Sequence, residues 1–92
     1  MLILGIESAT AQVGCAIGGH EGVLASTHSA RARRHAESLA PQIEFALSQA
    51  RIRIDEISVV AVDVGPGLYT GLRVGISTAM ATAFGLGVPM IG

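Results

Sequence analysis

Short apolar runs separated by polar turns open the chain. The runs at residues 2–8, 13–19 and 22–30 are joined by connections of only a few residues, which predicts an antiparallel meander of three strands. The run at 57–64 is almost uninterrupted in its apolar character, which is typical of a strand covered on both faces. A fifth strand is predicted at 88–91.

Apolar residues at three- and four-residue spacing predict a first helix between the meander and the fourth strand. This helix extends from about His35 to Ala50. Proline breaks helix interiors, so the helix either starts near Leu39, with Pro41 in its first turn, or is kinked at Pro41.

A second helix, between the fourth and fifth strands, has two sides of different character. It is predicted to start with Thr70 as its N-cap, to extend to about Phe84 and to end near Gly85 and Gly87. A side made of small residues lets another element approach closely. The large apolar side consists of Leu72, Ile76, Met80, Ala83 and Phe84, and the small side of Gly71, Gly75, Thr78, Ala79 and Thr82.

The predicted order is β-β-β-α-β-α-β, which indicates an α/β fold with a mixed sheet. Strands 1, 4 and 5 are expected to be parallel, because helical crossovers connect the later strands. A domain rarely ends on a bare central-type strand. Residues 1–92 are therefore expected to form the first lobe of a longer architecture, with the second lobe outside this chain.

The composition favours contact with other protein surface over electrostatic binding to nucleic acid. Half of the 92 residues are hydrophobic, only 14% are charged and the net charge is −1. This is too apolar for a disordered chain, and the excess suggests a surface that a partner protein, a further domain of the same protein, or both would cover. All six basic residues are arginine. Those at 31–34 and 51–53 are interpreted as solvated, with a local phosphate or RNA contact as the alternative.

Targeting signals and paired cysteines are missing from the sequence. Cys15 is the single cysteine, so an internal disulfide is impossible and a buried thiol is expected. No signal peptide opens the chain, and no apolar run reaches the ~18 residues of a membrane span. The expected location is the cytoplasm, away from membranes.

The glycine-rich stretch GPGLYTGLRVG at 65–75 is a candidate anion site. It is not a Walker loop, because Leu72 stands where that motif has lysine. It is not a dinucleotide fingerprint either, because Thr70 occupies the place of the third glycine. Backbone amides around Gly65, Gly67 and Thr70 could still hold a nucleotide or another anion. The alternative is a purely structural strand-to-helix turn.

Two acids at the ends of predicted strands are the remaining chemical candidates. Glu7 ends strand 1 next to a turn that contains Thr10, and Asp63 lies near the end of strand 4. Ligands of open α/β sheets gather outside such strand ends, so converging carboxylates would hold a divalent ion. The alternative is a pair of solvated or capping acids. No catalytic residue and no metal-ligand set is assigned.

Three segments together carry a specific resemblance. LILGIESAT, RRHAESLAPQIEFAL and VAVDVGPGLYTGLRVGIS resemble the TsaB family, the YeaZ-type, glycoprotease-like subunit of bacterial tRNA threonylcarbamoyladenosine synthesis. The resemblance covers nearly the whole chain, and the glycine-rich stretch is its most specific part. It implies a lobe of the actin-like ATPase (ribonuclease H-like) superfold.

The resemblance also implies a non-catalytic role, that of a pseudoenzyme. Members bind and stabilise the catalytic subunit TsaD together with the ATPase TsaE, and they form homodimers through a helical face. tRNA would be reached only through the complex, and no cofactor would be bound alone, ATP and Mg²⁺ entering only in the complex. The implied interface consists of Leu39, Ile43, Leu47, Gly71, Leu72, Gly75 and Ala79.

The alternative is a catalytic lobe that binds Mg-ATP, either TsaD-like or of the sugar- or acetate-kinase type. Glu7 and Leu68 resemble TsaD more than TsaB. Thr70 and Arg73 match TsaB, and the chain lacks the extra segment that TsaD carries before its first helix. These differences favour the partner subunit over the enzyme.

Overall fold

The computed structural model describes residues 1–7, 13–20, 22–29, 35–62 and 69–92. Its elements follow the expected order β-β-β-α-β-α-β. They are β1 (Leu2–Glu7), β2 (Val13–Gly19), β3 (Gly22–Ser29), α1 (His35–Ala50), β4 (Val59–Val62), α2 (Tyr69–Leu86) and β5 (Met90–Ile91), with a 3₁₀ turn at Ile54–Glu56 before β4.

The structure gives the first residue of each helix, which decides between the two predicted starts of α1 and tests the predicted N-cap of α2. Helix α1 begins at His35 and contains Pro41 in its interior, so a start near Leu39 is wrong. Helix α2 begins at Tyr69. Thr70 is therefore the second residue of α2, and its assignment as the N-cap is wrong by two positions, because the N-cap precedes the first helical residue.

The five strands form one mixed sheet in the order β3-β2-β1-β4-β5. β1 pairs with β2, and β2 with β3, in antiparallel fashion. β4 is parallel to β1 and to β5, which confirms the predicted parallel set. The meander therefore occupies one half of the sheet, and the crossover strands occupy the other half.

Both helices pack on the same face of this sheet. Alternate strand residues such as Leu4, Ile17 and Val60 are fully buried there, because successive side chains of a strand point to opposite faces. Leu39 of α1 and Ala79 of α2 belong to the same buried cluster. α1 lies over β2 and β3, and α2 lies mainly over β4.

The opposite face of the sheet carries small residues and is only partly covered. Gly5, Ala16 and Ala61 are half-buried, as is Val59. The sequence predicted that the fourth strand would be covered on both faces. Both described helices lie on the other side, and Val59 and Ala61 are half-buried, so coverage of this second face stays a prediction.

Gly14 is required by the spacing of the meander. A Cβ atom at this position would overlap the carbonyl oxygen of Thr27 on the neighbouring strand. Glycine here lets β2 and β3 approach closely next to the end of β1, where Gly14 lies opposite Glu7.

Both helices end in the same hydrogen-bonded motif. After α2, the amide of Gly87 bonds to the carbonyl of Phe84 and that of Val88 to Ala83. Gly87 has a φ of 69°, as a Schellman ending requires. This confirms the predicted glycine stop. After α1, the equivalent left-handed position is filled by Arg51, with a φ of 58°.

Replacing Arg51 with glycine is expected to stabilise the fold. A non-glycine residue in the left-handed region destabilises the folded state by roughly 1–2 kcal/mol. Glycine removes this strain but loses more conformational entropy on folding, so the net gain in stability is smaller. The expected net gain for Arg51→Gly is about 0.5–1 kcal/mol, measured by urea unfolding. Gln49→Gly, at an exposed position inside the same helix, is the control and is expected to destabilise by about 1 kcal/mol. A loss of stability in Arg51→Gly would contradict this account.

Candidate partner interface

Helix α2 turns its small residues toward its own sheet. Ala79 is 0% exposed and Ala83 is 5% exposed, and Gly75 on the same stripe is also buried. These positions lie four residues apart, so they form one face of the helix. Side chains this short bring the helix close to β4 and to α1.

Two large apolar residues of α2, Met80 and Phe84, face outward, whereas Ile76 and Leu86 are half-buried against the core. Phe84 is 90% exposed and Met80 is 56% exposed, and the two lie one helical turn apart. Ser77 and Ala81 beside them are exposed as well. Residues 74–92 contain no charged side chain. We call the surface formed by Ser77, Met80, Ala81 and Phe84 the outer face of α2.

A groove of about 340 Å³ lies between the two helices and contains none of the residues of the outer face. The hydroxyl of Thr82 donates a 2.7 Å hydrogen bond to the carbonyl of Thr78, so it is satisfied within α2. The only charged side chain in the lining is Glu44. The groove is lined by Ala40, Ile43, Glu44, Leu47, Ile54, Thr78 and Thr82.

The residues predicted to meet a partner lie deeper than the sequence indicated. Leu39 and Ile43 are 1% and 8% exposed and belong to the core, as does Ala79, and Gly75 is buried too. The expectation that these four residues present an exposed face is wrong. Leu47 is half-buried, and with Ile43 it lines the groove.

For Gly71 and Leu72, the other two predicted interface residues, the structure describes only the helical backbone. The periodicity of α2 alone did not identify Met80 and Phe84 as outward-facing. The missing charge over residues 74–92 was the signal that could have done so, because an exposed helix face normally carries charged side chains.

The nucleotide and anion candidates fall largely outside the described residues. Glu7 is half-buried at the end of β1, and it lines a 280 Å³ cavity on the open sheet face together with His28. β1 and β4 are parallel neighbours, with Ile6 opposite Val62. Thr10, Asp63, Gly65 and Gly67 are not described, and of Thr70 only the backbone is, so a divalent or nucleotide site stays a prediction. Among the described residues, no group of three or more His, Cys, Asp or Glu side chains could hold a metal ion.

A small polar network joins α1 to the sheet. The hydroxyl of Thr27 donates to Oε1 of Gln42 at 2.7 Å and lies 3.5 Å from the sulfur of Cys15. Cys15 is a buried free thiol, as predicted. Burial raises the pKa of this thiol, and the hydrogen bond with Thr27 opposes part of that effect. The thiol therefore stays protonated and acts as a core residue.

The sheet order and the placement of the helices define the class of fold. A five-stranded mixed sheet, with an antiparallel meander and parallel strands 1, 4 and 5, is the actin-like (ribonuclease H-like) arrangement. A solved structure, YeaZ from Pseudomonas aeruginosa, superposes with a TM-score of 0.91 at 25% identity, covering 99% of this chain and 43% of that one.

The family model described as TsaD, tRNA N6-adenosine threonylcarbamoyltransferase, matches residues 22–92, and the chain belongs to this family. A threonylcarbamoyltransferase of Symbiobacterium thermophilum is 39% identical, over 99% of this chain and 31% of the relative. An uncharacterized protein of Mycobacterium tuberculosis is 37% identical, over 98% of this chain and 44% of the relative. The resemblance to YeaZ-type proteins is confirmed.

The chain spans less than half of the length of each of these relatives. The alignment with the Symbiobacterium transferase is 107 residues long, which exceeds the 92 residues of this chain. The transferase therefore carries residues that this chain lacks. The alignment with the M. tuberculosis protein is 92 residues long and needs no such insertion of comparable size.

Neither α1 nor α2, as far as they are described, is both long and apolar enough to cross a membrane.

The close packing of α2 predicts different effects for two alanines on the same helix. Ala79→Leu adds volume where no space exists and is expected to destabilise the fold by about 1–3 kcal/mol. Ala81→Leu, on the outer face, is expected to change stability by less than about 0.5 kcal/mol. Urea unfolding of both variants measures the difference. Equal effects would show that α2 does not depend on its small side.

Proposed function

We propose that this chain belongs to a non-catalytic partner subunit of tRNA threonylcarbamoyladenosine synthesis. Its role is to bind and stabilise a catalytic subunit of the TsaD type, in the cytoplasm and together with the ATPase TsaE. tRNA is reached only through that complex. The family match and the likeness to YeaZ support the pathway, and the surface of α2 supports the role.

The observation that carries the proposal is the uncharged outer face of α2. Single exposed hydrophobic residues are ordinary on protein surfaces. Here Phe84 and Met80 form a pair in a segment without any charged side chain. Burial of a phenylalanine side chain contributes about 1.5–3 kcal/mol, and large apolar residues at the centre of a patch dominate association. A second helix pair laid across α1 and α2 would bury both residues.

The length of the alignments supports the partner over the enzyme. The transferase of Symbiobacterium thermophilum carries inserted residues relative to this chain, and the M. tuberculosis protein aligns over 92 residues. In the length of this segment the chain therefore resembles the M. tuberculosis protein more than the Symbiobacterium transferase. We propose that in the absence of a catalytic subunit the same face pairs with a second copy.

Phe84→Asp tests the proposed interface. Burial of a carboxylate in an apolar contact is unfavourable, so binding to the TsaD-type subunit of the same organism is expected to weaken by about tenfold or more. Self-association is expected to weaken in parallel. Sedimentation velocity and titration calorimetry measure the two effects.

Phe45→Asp is the matched control for that test. Phe45 is also large and 56% exposed, but it lines a different groove, on the β3 side of α1. Its variant is expected to keep the affinity of the parent chain. If Phe84→Asp binds both partners as well as the parent does, the outer face of α2 is not the interface.

A catalytic lobe is the second candidate, favoured by the position of Glu7. Its carboxylate lies at the end of β1 beside the 280 Å³ cavity, at the sheet edge where ligands of α/β proteins bind. The partner hypothesis predicts no Mg²⁺-dependent ATP hydrolysis by the chain, and no difference between the parent and Glu7→Gln. Steady turnover that Glu7→Gln abolishes would support the catalytic lobe and overturn the non-catalytic role.

A further inference from the structure

All three methionines of the chain are exposed to solvent, at different places in the fold. Met1 is 79% exposed before β1, Met80 is 56% exposed on α2, and Met90 is 38% exposed in β5. Oxidation of an accessible thioether gives methionine sulfoxide, which replaces a flexible apolar side chain with a polar one. The position of each methionine therefore decides what its oxidation would change.

The other sulfur of the chain, in Cys15, is protected from oxidation. Its side chain is 4% exposed and belongs to the core. The thiolate is the reactive form of cysteine, and burial raises the pKa of this thiol and so keeps it protonated. The sequence contains no tryptophan. Mild oxidation by a peroxide is therefore directed to the methionines.

Met80 is the methionine that belongs to the outer face of α2. Phe84 follows it one helical turn later and is 90% exposed. Residues 74–92, which include both, contain no charged side chain. Met1 precedes β1 and Met90 belongs to the sheet, so neither is part of this face. Oxidation of Met80 therefore places a polar group in the middle of an apolar surface.

We propose that Met80 is a site of reversible oxidation: a peroxide converts its thioether to the sulfoxide in the free chain, and the sulfoxide weakens association through the outer face of α2. This inference rests on the proposed function. In the reaction a lone pair of the sulfur attacks one oxygen of hydrogen peroxide. An S–O bond forms as the O–O bond breaks, the sulfur loses two electrons, and the second oxygen leaves as water.

The sulfoxide oxygen at Met80 opposes burial for the same reason that a carboxylate does at Phe84, to a smaller extent. In the free chain this oxygen accepts hydrogen bonds from water. Contact with an apolar partner surface removes that water without supplying a donor, which is unfavourable. A bound partner would cover the thioether of Met80, so the reaction belongs to the free chain and the complex is protected from it.

Peroxide treatment of leucine variants tests the proposal. The chain is oxidised with hydrogen peroxide, catalase removes the excess, and titration calorimetry measures binding to the untreated TsaD-type subunit of the same organism. Oxidation is expected to weaken binding by about tenfold in the parent and in Met90→Leu. Oxidised Met80→Leu is expected to keep the affinity of its untreated form, because leucine preserves the apolar volume and has no sulfur.

Two measurements establish that the loss of affinity comes from the sulfoxide. Peptide mass spectrometry gives the extent of oxidation at each methionine, and oxidation of Met80 is expected to be several-fold slower in the complex than in the free chain, with Met1 as the internal reference. Treatment with methionine sulfoxide reductases is expected to restore the affinity of the oxidised parent. Circular dichroism verifies that the oxidised chain remains folded.

Phe84→Asp distinguishes a failure of this proposal from a failure of the proposed function. If Phe84→Asp weakens binding but complete oxidation of Met80 does not, the interface stands and the proposal for Met80 is wrong. The same conclusion follows if Met80 resists oxidation in the free chain, or if Met90→Leu rather than Met80→Leu preserves the affinity. If Phe84→Asp leaves binding unchanged, the outer face is not the interface, and the proposal for Met80 is overturned with it.

Discussion

The separation between α2 and the sheet determines much of this structure. Ala79 and Ala83 have almost no side chain to insert, and Gly75 has none, so the helix lies close to β4 and to α1. Interiors pack as densely as organic crystals, and the positions of α2 that face the sheet are occupied by Ala79 and Ala83, with Met80 and Phe84 elsewhere on the helix. Both large side chains are therefore directed to the outside. The apolar outer surface is a consequence of how the interior is packed.

The two helices form one layer on the sheet, with a groove on each side of α1. α1 lies over the antiparallel half of the sheet and α2 over the parallel half. The inner flank of α1 borders the groove shared with α2, and its outer flank borders the groove beside β3.

The order of the elements and the parallel strands could be predicted because they depend on local signals. Apolar runs, short turns and the glycine after α2 each act over a few residues, and the structure has the same order. Pro41 was ambiguous since a proline in a helix interior depends on packing that a local pattern does not contain. The coverage of the second face of β4 stays a prediction for a similar reason: a run of apolar residues does not reveal which face a helix will occupy.

The interface was harder to predict than the fold. α2 has an apolar side of large residues and a side of small ones, and periodicity is the same for both. From the sequence alone, the large side is expected to pack in the core, and the small side is expected to contact a neighbouring helix. Only the sheet decides between them, because it accepts the side that fits. Candidate residues at the strand ends, apart from Glu7, fall mainly outside the described residues.

The close packing of α2 also has a consequence for how such proteins diverge. Selection at Ala79 acts on volume, so even a conservative aliphatic replacement there is costly in any lineage, with or without a partner. Under the proposed function, selection at Phe84 acts on association, since this exposed ring contributes little to the isolated fold. A lineage that lost its partner would therefore acquire polar residues at Phe84 and Met80 while keeping Ala79. A comparison of substitution rates at the buried and the exposed positions would therefore indicate which lineages kept a partner.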